Sequence, residues 1–414
     1  MVGAVEWRRF TLDQLGSVGR GKSRHRPRND SSLYGGIYPF FQTGDIKAAN
    51  FALTQYTQTY NELGLAQSKL WQPGTLCITI AANIAETAIL GVTGCFPDSI
   101  VGFVADPRKA DVRFVKYYID TLKMQMQSVS RGTTQDNLSV DKLLTFNFCV
   151  PGVGTQRRIA SILSAYDDLI ENCQRRIRLL EDMARGLYRE WFVHFRFPGA
   201  DALPGIDSPL GPIPRGWDVV KLVEVAIVNR AQISPRHAPP EIDYIDIATV
   251  SPGRINAVTR YAFEEAPARA RRLVQHGDVL WSCVRPNRRS HAIAMHPSEA
   301  TVASTGFAVL TTRALSYAHL YLATTTDDFV AYLTNHATGA AYPAVTAKTF
   351  EEALIVVPPE ATRDAFARLA EPLMEQINAL SRKITNLRRT RDLLLPRLLS
   401  GQIEVGVAEK SVPA

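Results

Sequence analysis

The chain has 414 residues, 46% of them hydrophobic and 21% charged, with 47 basic against 40 acidic side chains and a formal net charge of +7. That length calls for two or three units with ample core, and that composition excludes intrinsic disorder while leaving a polyanionic partner open. No apolar run reaches the length of a membrane span, the N-terminus "MVGAVEWRRF" lacks a signal-peptide core, and five widely spaced cysteines form no C-x-x-C pair. The expectations are therefore no membrane, a cytoplasmic location, no metal site and buried thiols in a reducing cell.

Residues 1–151 read as a compact α+β domain. Short β-branched and aromatic runs such as "ILGVTG" and "FNFCVP" are broken by Gly, Pro, Asn and Asp, with a helical patch "FVKYYIDTLKMQMQSV" between them. Near the start, "GSVGRGKS" (Gly16 to Ser23) fits the phosphate-loop pattern G-x-x-x-x-G-K-[ST]. Such a loop needs a buried strand before it and a helix directly after it, so that backbone N–H groups hold the phosphates. Here "WRRFTLDQL" precedes it and "RHRPRNDSSLYGG", whose composition opposes a helix, follows it. Nucleotide hydrolysis is thus the weaker reading of this stretch. The stronger one starts from Arg20, Lys22, Arg24, His25, Arg26 and Arg28, which fall within nine positions on a segment that reads as flexible. Cations at that density must be solvated or face a polyanion. Two polar, turn-forming stretches follow, "QTGDI" from Gln42 and "GTTQDN" from Gly132.

Residues 152–197 read as one long helix. Ile159, Leu163, Tyr166, Ile170, Cys173, Ile177, Leu180, Ala184, Leu187 and Trp191 alternate four and three apart, and all are apolar. A seam with that period is the coiled-coil signature. Beside it Ile162, Leu169 and Met183 sit at heptad spacing, with Leu179 nearby; they either cover the edge of the same coiled coil or dock a partner. Residues 198–357 hold a linker loop, rich in Gly and Pro from Gly199 to Gly216, and a second domain. That domain carries Arg230, Arg236 and His237, then "RPNRRSH" with Arg285, Asn287, Arg288, Arg289 and His291, then "GAAYPAV". Residues 358–405 read as a second long helix with seam positions Phe366, Ala370, Leu373, Ile377, Leu380, Ile384, Leu387, Arg391, Leu394 and Leu398, apolar except at Arg391. Pro396 is expected to end or kink it, and 406–414 form a tail.

The second half echoes the first roughly 200 residues later. "WRRFTLDQL" matches "WDVVKLVEV", with Leu12 answering Leu222; "QPGTLCIT" matches "QHGDVLWS", "VGFVAD" matches "TGFAVL", and "CVP" matches "VVP", in the same order. A compact domain brings its chain ends together, so the second helix should begin where the first stops. The fold class expected is α+β: two similar globular domains separated by two long antiparallel coiled-coil helices, a pseudo-two-fold internal repeat, with the domains inverted relative to each other.

On the wording "QRRIASILSAYDDLIENCQRRIRLLEDMARGLYREWFV" and "LPRLLSGQIEV", with the entry "GPIPRGWDVVKL", the chain resembles the specificity subunits of type I restriction-modification enzymes over nearly all of its length. The resemblance implies two target-recognition domains, each reading one half of a split double-stranded DNA sequence. It implies helices that space the domains and dock methyltransferase (modification) and restriction/translocase subunits. S-adenosylmethionine, ATP and Mg are then expected on those partners and no cofactor or catalytic group in this chain. The candidate DNA contacts are Arg20, Lys22, Arg24, His25, Arg26, Arg28, Arg230, Arg236, Arg285, Asn287, Arg288 and Arg289, because Arg and Lys suit phosphates or guanine and Asn suits adenine. In the two polar turns, Gln135 and Asn137 are suited to adenine, Asp45 to cytosine, and Thr43 or Thr133 to phosphate, with an ordinary surface turn as the alternative for each. No H-E-x-x-H, G-x-S-x-G or N-P-P-[YF]-like motif is present. The rival to DNA recognition is a coiled-coil scaffold that binds proteins.

Overall fold

The computed structural model describes residues 6–49, 51–130, 137–200 and 204–405. They form two compact units, one of Met1–Cys173 with Lys383–Ala414 and one of Gln174–Arg382. Among the described residues no helix is long and apolar enough to cross a membrane.

In the first unit Arg8–Phe10 pairs antiparallel with Phe148–Val150, which brings the two ends of the globular part together. A single helical turn, Leu12–Leu15, follows, with the Gln14 side chain accepting from the Thr11 backbone N–H at 2.9 Å. Next comes a five-stranded sheet in the order Gly16–Arg20, Ile100–Ala105, Leu76–Thr79, Thr87–Leu90, Ala52–Leu53. Leu76–Thr79 is buried at every position, which is why "LCIT" shows no polar alternation. A second sheet has the order Gln58–Tyr60, Tyr34–Phe40, Gly94–Cys95, Leu70–Trp71, its middle pair parallel. The helix Val112–Ser130 packs Phe114, Val115, Tyr117, Ile119 and Met126 into the core.

The second unit repeats this plan. Asp218–Lys221 pairs with Leu354–Val357, and the turn Leu222–Val225 buries Leu222 as Leu12–Leu15 buries Leu12. Its first sheet runs Ala226–Val228, Phe307–Thr312, Val279–Ser282, His291–Ile293; its second runs Thr259–Ala262, Glu241–Ile245, Thr301–Ser304, Ala270–Leu273, again with a parallel middle pair. Strand order and direction therefore match between units, apart from the fifth strand Ala52–Leu53 of the first, although the sequence echo is faint. One difference is that two shorter helices, Tyr317–Ala323 and Asp327–Asn335, stand where the first unit has one. Thr326 breaks the run by accepting the Phe329 N–H on its side-chain oxygen at 3.2 Å.

The long helices are Val153–Phe192 and Glu360–Leu399, each of 40 residues and so about 60 Å long at 1.5 Å per residue. In the first unit Ile159, Ala160 and Leu163, near the start of one helix, share a core with Leu398 and Leu399 at the end of the other. In the second unit Ala184, Trp191 and Phe192 pack with Phe366, Ala370 and Met374. Within each unit the helical segments thus run in opposite directions. Every seam position from Ile159 to Trp191 and from Phe366 to Leu398 is buried or half-buried.

The seam's polar member is explained by an ion pair. Arg391, half-buried, donates to Asp167, whose other oxygen accepts the Tyr117 hydroxyl at 2.5 Å, and Arg391 also reaches Asp392 at 2.8 Å. Two expectations need correction. Pro396 does not end the second helix, which continues to Leu399; its ring is exposed, so only one backbone hydrogen bond is forgone. The helix stops instead at Gly401, whose φ of +76° is the left-handed cap that glycine adopts without strain. The thiols are free, but only Cys77, Cys95 and Cys173 are buried, while Cys149 and Cys283 are half-exposed to solvent.

Candidate nucleic-acid interface

The glycine stretch is not the flexible loop expected from its composition. Gly16–Arg20 is a strand, paired along its whole length with Ile100–Ala105. One of its glycines is fixed by an aromatic ring: a Cβ at Gly19 would lie 2.9 Å from Trp71, and one at Gly102, the residue opposite on the paired strand, 2.7 Å from the same indole. No helix follows; beyond Arg20 the chain stays irregular as far as a short 3-10 turn at Ser31–Leu33. A strand with indole packed over Gly19 presents no nest of N–H groups to a phosphate chain.

The basic residues project from the segment that this strand feeds. Gly21 N–H and Lys22 N–H donate to Ile100 O (2.9 Å) and Phe96 O (3.1 Å), prolonging the ladder. Gln67 Oε1 then accepts from the backbone N–H of Arg24 (2.6 Å) and His25 (3.0 Å), pinning the turn. Asp98, in the loop before Ile100, collects three arginines. Arg28 Nη2 lies 2.6 Å and Arg26 Nη2 3.8 Å from its carboxylate, and Arg20 Nε donates to its carbonyl. His25 Nε2 lies 2.8 Å from Asp30, whose carboxyl is held below its ordinary range first by the hydrogen bonds from Ser32 and then by His25. Lys22 and Arg24 are exposed, and among the described residues their side chains have no ion-pair partner. Five Arg and Lys cations against two carboxylates leave a positive ridge on which the Lys22 and Arg24 side chains are unpaired among the described residues.

In the second unit the basic residues fall on two segments. Arg230 is exposed just after the strand Ala226–Val228, and Arg236 and His237 are exposed in the 3-10 turn Pro235–His237. The denser group spans the hairpin between Val279–Ser282 and His291–Ile293, where a 3-10 turn Pro286–Arg288 is flanked by Arg285 and Arg289, both left-handed with φ of 52° and 53°. Non-glycine residues hold that conformation only when neighbours fix it. Here Arg285 N–H donates to Pro343 O (2.7 Å), its guanidinium to Ala341 O (3.2 Å), and its plane stands 4.6 Å from the Tyr342 ring. Arg289 pairs with Asp327 at 2.5 Å. Asn287 and Arg288 point outward and are exposed. His291 is buried against Trp281 and held down to about 4 by burial first, then by Arg289 and Arg185, so it is neutral at physiological pH.

The remaining candidates stand apart. Thr43 and Asp45 open the short helix Thr43–Ala48, where Asp45 accepts the Gln42 N–H at 2.7 Å, a capping role that accounts for its carboxylate locally. Thr133 and Gln135 lie outside the described residues. Asn137 is exposed, next to Leu138, whose N–H donates to Ile80 O at 2.9 Å. The residues that sequence reasoning missed are Asp98, Gln67 and Tyr342, which organise the basic loops from far along the chain. A bare Pro-Asp, a lone Gln and one exposed Tyr give no local signal.

A family model for the type I restriction modification DNA specificity domain matches residues 4–182. The specificity subunit of the type I restriction enzyme MjaIX of Methanocaldococcus jannaschii is 23% identical over 421 residues, spanning 97% of this chain and 94% of that one. The corresponding MjaVIII subunit of the same organism is 27% identical over 147 residues, 35% of this chain and 33% of its own. The crystal structure of the S subunit of a type I restriction-modification system from M. genitalium superposes with a TM-score of 0.62 at 15% identity, over 96% of each chain, and so shares the fold. With the repeated two-sheet unit, the paired long helices and the domain matched over residues 4–182, the chain is similar to the specificity subunits of type I restriction-modification systems over nearly all of its length.

Proposed function

We propose that this subunit reads a bipartite duplex target whose halves differ, each unit recognising one half through its basic loops. The observation that carries the reading is that one strand plan occurs twice with unlike loops on it: Arg20 to Arg28 braced by Asp98 in the first unit, Arg285 to Arg289 braced by Pro343, Tyr342 and Asp327 in the second. A braced guanidinium loses little freedom on binding, which favours bidentate contact with guanine by Arg285, while Arg288 and Asn287, exposed on the turn it anchors, suit guanine and adenine. Lys22 and Arg24, free of partners among the described residues, suit phosphates, and Arg230 and Arg236 take the same part in the second unit. Thr43, Asp45, Thr133, Gln135 and Asn137 remain candidates of the first unit.

Methyltransferase and restriction subunits are proposed to dock along the first long helix, where Ile162, Leu169, Leu179 and Met183 are 37%, 46%, 54% and 59% exposed although apolar. S-adenosylmethionine, ATP and Mg belong on this reading to those partners, and the complex acts in the cytoplasm. The test is selection from random duplexes followed by fluorescence-anisotropy titration over a range of salt. A gapped motif with two dissimilar halves and an affinity that falls steeply with salt is expected. Binding without sequence preference, or a motif with one block only, refutes the proposal and favours a protein-binding scaffold.

A further inference from the structure

His276 and His296 are far apart in sequence and lie in no metal-binding motif, yet the sheet brings them together. Strands Val279–Ser282 and His291–Ile293 pair antiparallel with Val279 opposite Ile293. The pairing continues outward, with Gly277 N–H donating to Ala294 O and Ala294 N–H to Asp278 O, both at 2.8 Å. Three residues beyond the last ladder pair, the same register sets His276 opposite His296. Their rings stack at 4.4 Å between centroids and 28° between planes. Tyr317 closes one side, its ring edge-on to His276 at 5.0 Å.

The second long helix presents Glu375 to this pair. Both its carboxylate oxygens lie 2.9 Å from His296 Nε2, and Oε1 lies 4.0 Å from His276 Nε2. One ligating atom from each residue lies within 4.8 Å of the others. Glu371, one turn earlier on the same helix and half-buried, places a second carboxyl group nearby. A tetrahedral ion with bonds of about 2.0–2.1 Å spaces its ligand atoms about 3.3 Å apart. The distances of 2.9 and 4.0 Å straddle that spacing, all three ligand atoms lie within 4.8 Å of one another, and these side chains, 39% to 49% exposed, have room to turn out of the ring stack toward a common ion.

We propose that His276, His296 and Glu375 bind one divalent transition-metal ion of the zinc class, fastening the sheet of the second unit to the second long helix. Two imidazoles and a carboxylate suit Zn²⁺, Co²⁺ or Ni²⁺, whereas Mg²⁺ and Ca²⁺ prefer oxygen ligands alone. A water completes the fourth position. Binding through Nε2 leaves the His276 proton on Nδ1, so the long 3.3 Å contact from His296 N–H to that nitrogen is given up to solvent. The ion also replaces the His296–Glu375 contact.

The test uses the full chain without an affinity tag, stripped by chelator and titrated with Zn²⁺ by calorimetry and with Co²⁺ by visible absorption. One ion per chain is expected, with nitrogen and oxygen ligation in the cobalt spectrum and a higher thermal midpoint in saturating Zn²⁺. His276→Gln, His296→Ala and Glu375→Gln each weaken binding by at least about tenfold and abolish the thermal shift. Cys283→Ser, which removes a half-buried thiol that competes for zinc, leaves binding unchanged. All three positions being partly exposed, the variants fold, as circular dichroism would show. A thiolate charge-transfer band, no saturable binding near equimolar ion, or binding unaltered in His296→Ala overturns the proposal.

Discussion

Replacing His319 by leucine tests how the second unit is anchored. His319 lies on Tyr317–Ala323, is 1% exposed, and is enclosed by Phe192 at 4.4 Å, Phe366 at 5.5 Å and Tyr188 at 5.7 Å between ring centroids. These rings come from the end of the first long helix and the start of the second, so the imidazole sits where both helices meet the globular part of its unit. Neither ring nitrogen has a partner among the described residues. Burial, with a smaller contribution from Arg363, lowers its pKa from 6.5 to about 3. The folded value is depressed, so the unfolded chain takes up the proton first. Stability is full above pH 6.5 and falls as the pH drops from there toward 3. At pH 5.0 the loss is about 2 kcal/mol at about 1.4 kcal/mol per pH unit. His319→Leu removes this loss together with two unpaired buried nitrogens, and at pH 7.5 it is neutral or stabilising by about 1 kcal/mol. Urea unfolding followed by tryptophan emission reports on the site, because Trp191 and Trp217 lie in the same cluster. The stability difference between variant and wild type should grow by about 2 kcal/mol from pH 7.5 to 5.0. His291, also buried and neutral, is common to both chains and cancels. A difference that stays constant or shrinks over that range refutes the reasoning.

Lys22→Ala and Arg24→Ala should each lower the slope of log affinity against log salt by about one while leaving the selected DNA sequence unchanged, as anisotropy titration would show; an unaltered slope excludes phosphate contact. Gly102→Val drives a side chain into the Trp71 indole and should cost about 1–3 kcal/mol in denaturant unfolding, without effect only if the ring can leave its place. Arg391→Leu strands Asp167, which is 12% exposed, and should cost about 2 kcal/mol, below the value for a fully buried pair because the arginine is 27% exposed. The double variant with Asp167→Leu should recover part of that loss, since no charge is then left unpaired although the Tyr117 hydroxyl gives up its acceptor; a double variant as unstable as the single would show that the pair itself contributes the stability.

The seams of both long helices could be read directly, because a period of 3.5 residues states which side chains share a face whatever that face meets. All ten seam residues of Val153–Phe192 are accordingly buried or half-buried. The repeat was likewise legible, Leu12 and Leu222 opening the same buried turn in each unit. The role of Gly16 to Ser23 was not. Glycine fits a phosphate loop, a flexible segment and a strand under an indole equally well, and the deciding residue, Trp71, is remote in sequence, lies in the other sheet and reaches Gly19 and Gly102 by tertiary packing. Asp98 beneath Arg26 and Arg28, Asp167 beside Arg391 on the facing long helix, and His276 opposite His296 across a strand pair are likewise tertiary contacts. The sequence by itself determined which faces are apolar and where helices run, since these depend on neighbours within a turn or two. Counter-ions, glycine contacts and the histidine pair were decided by the tertiary structure, because strand pairing and the packing of sheets and helices fix which distant residues meet and no local pattern encodes that partner.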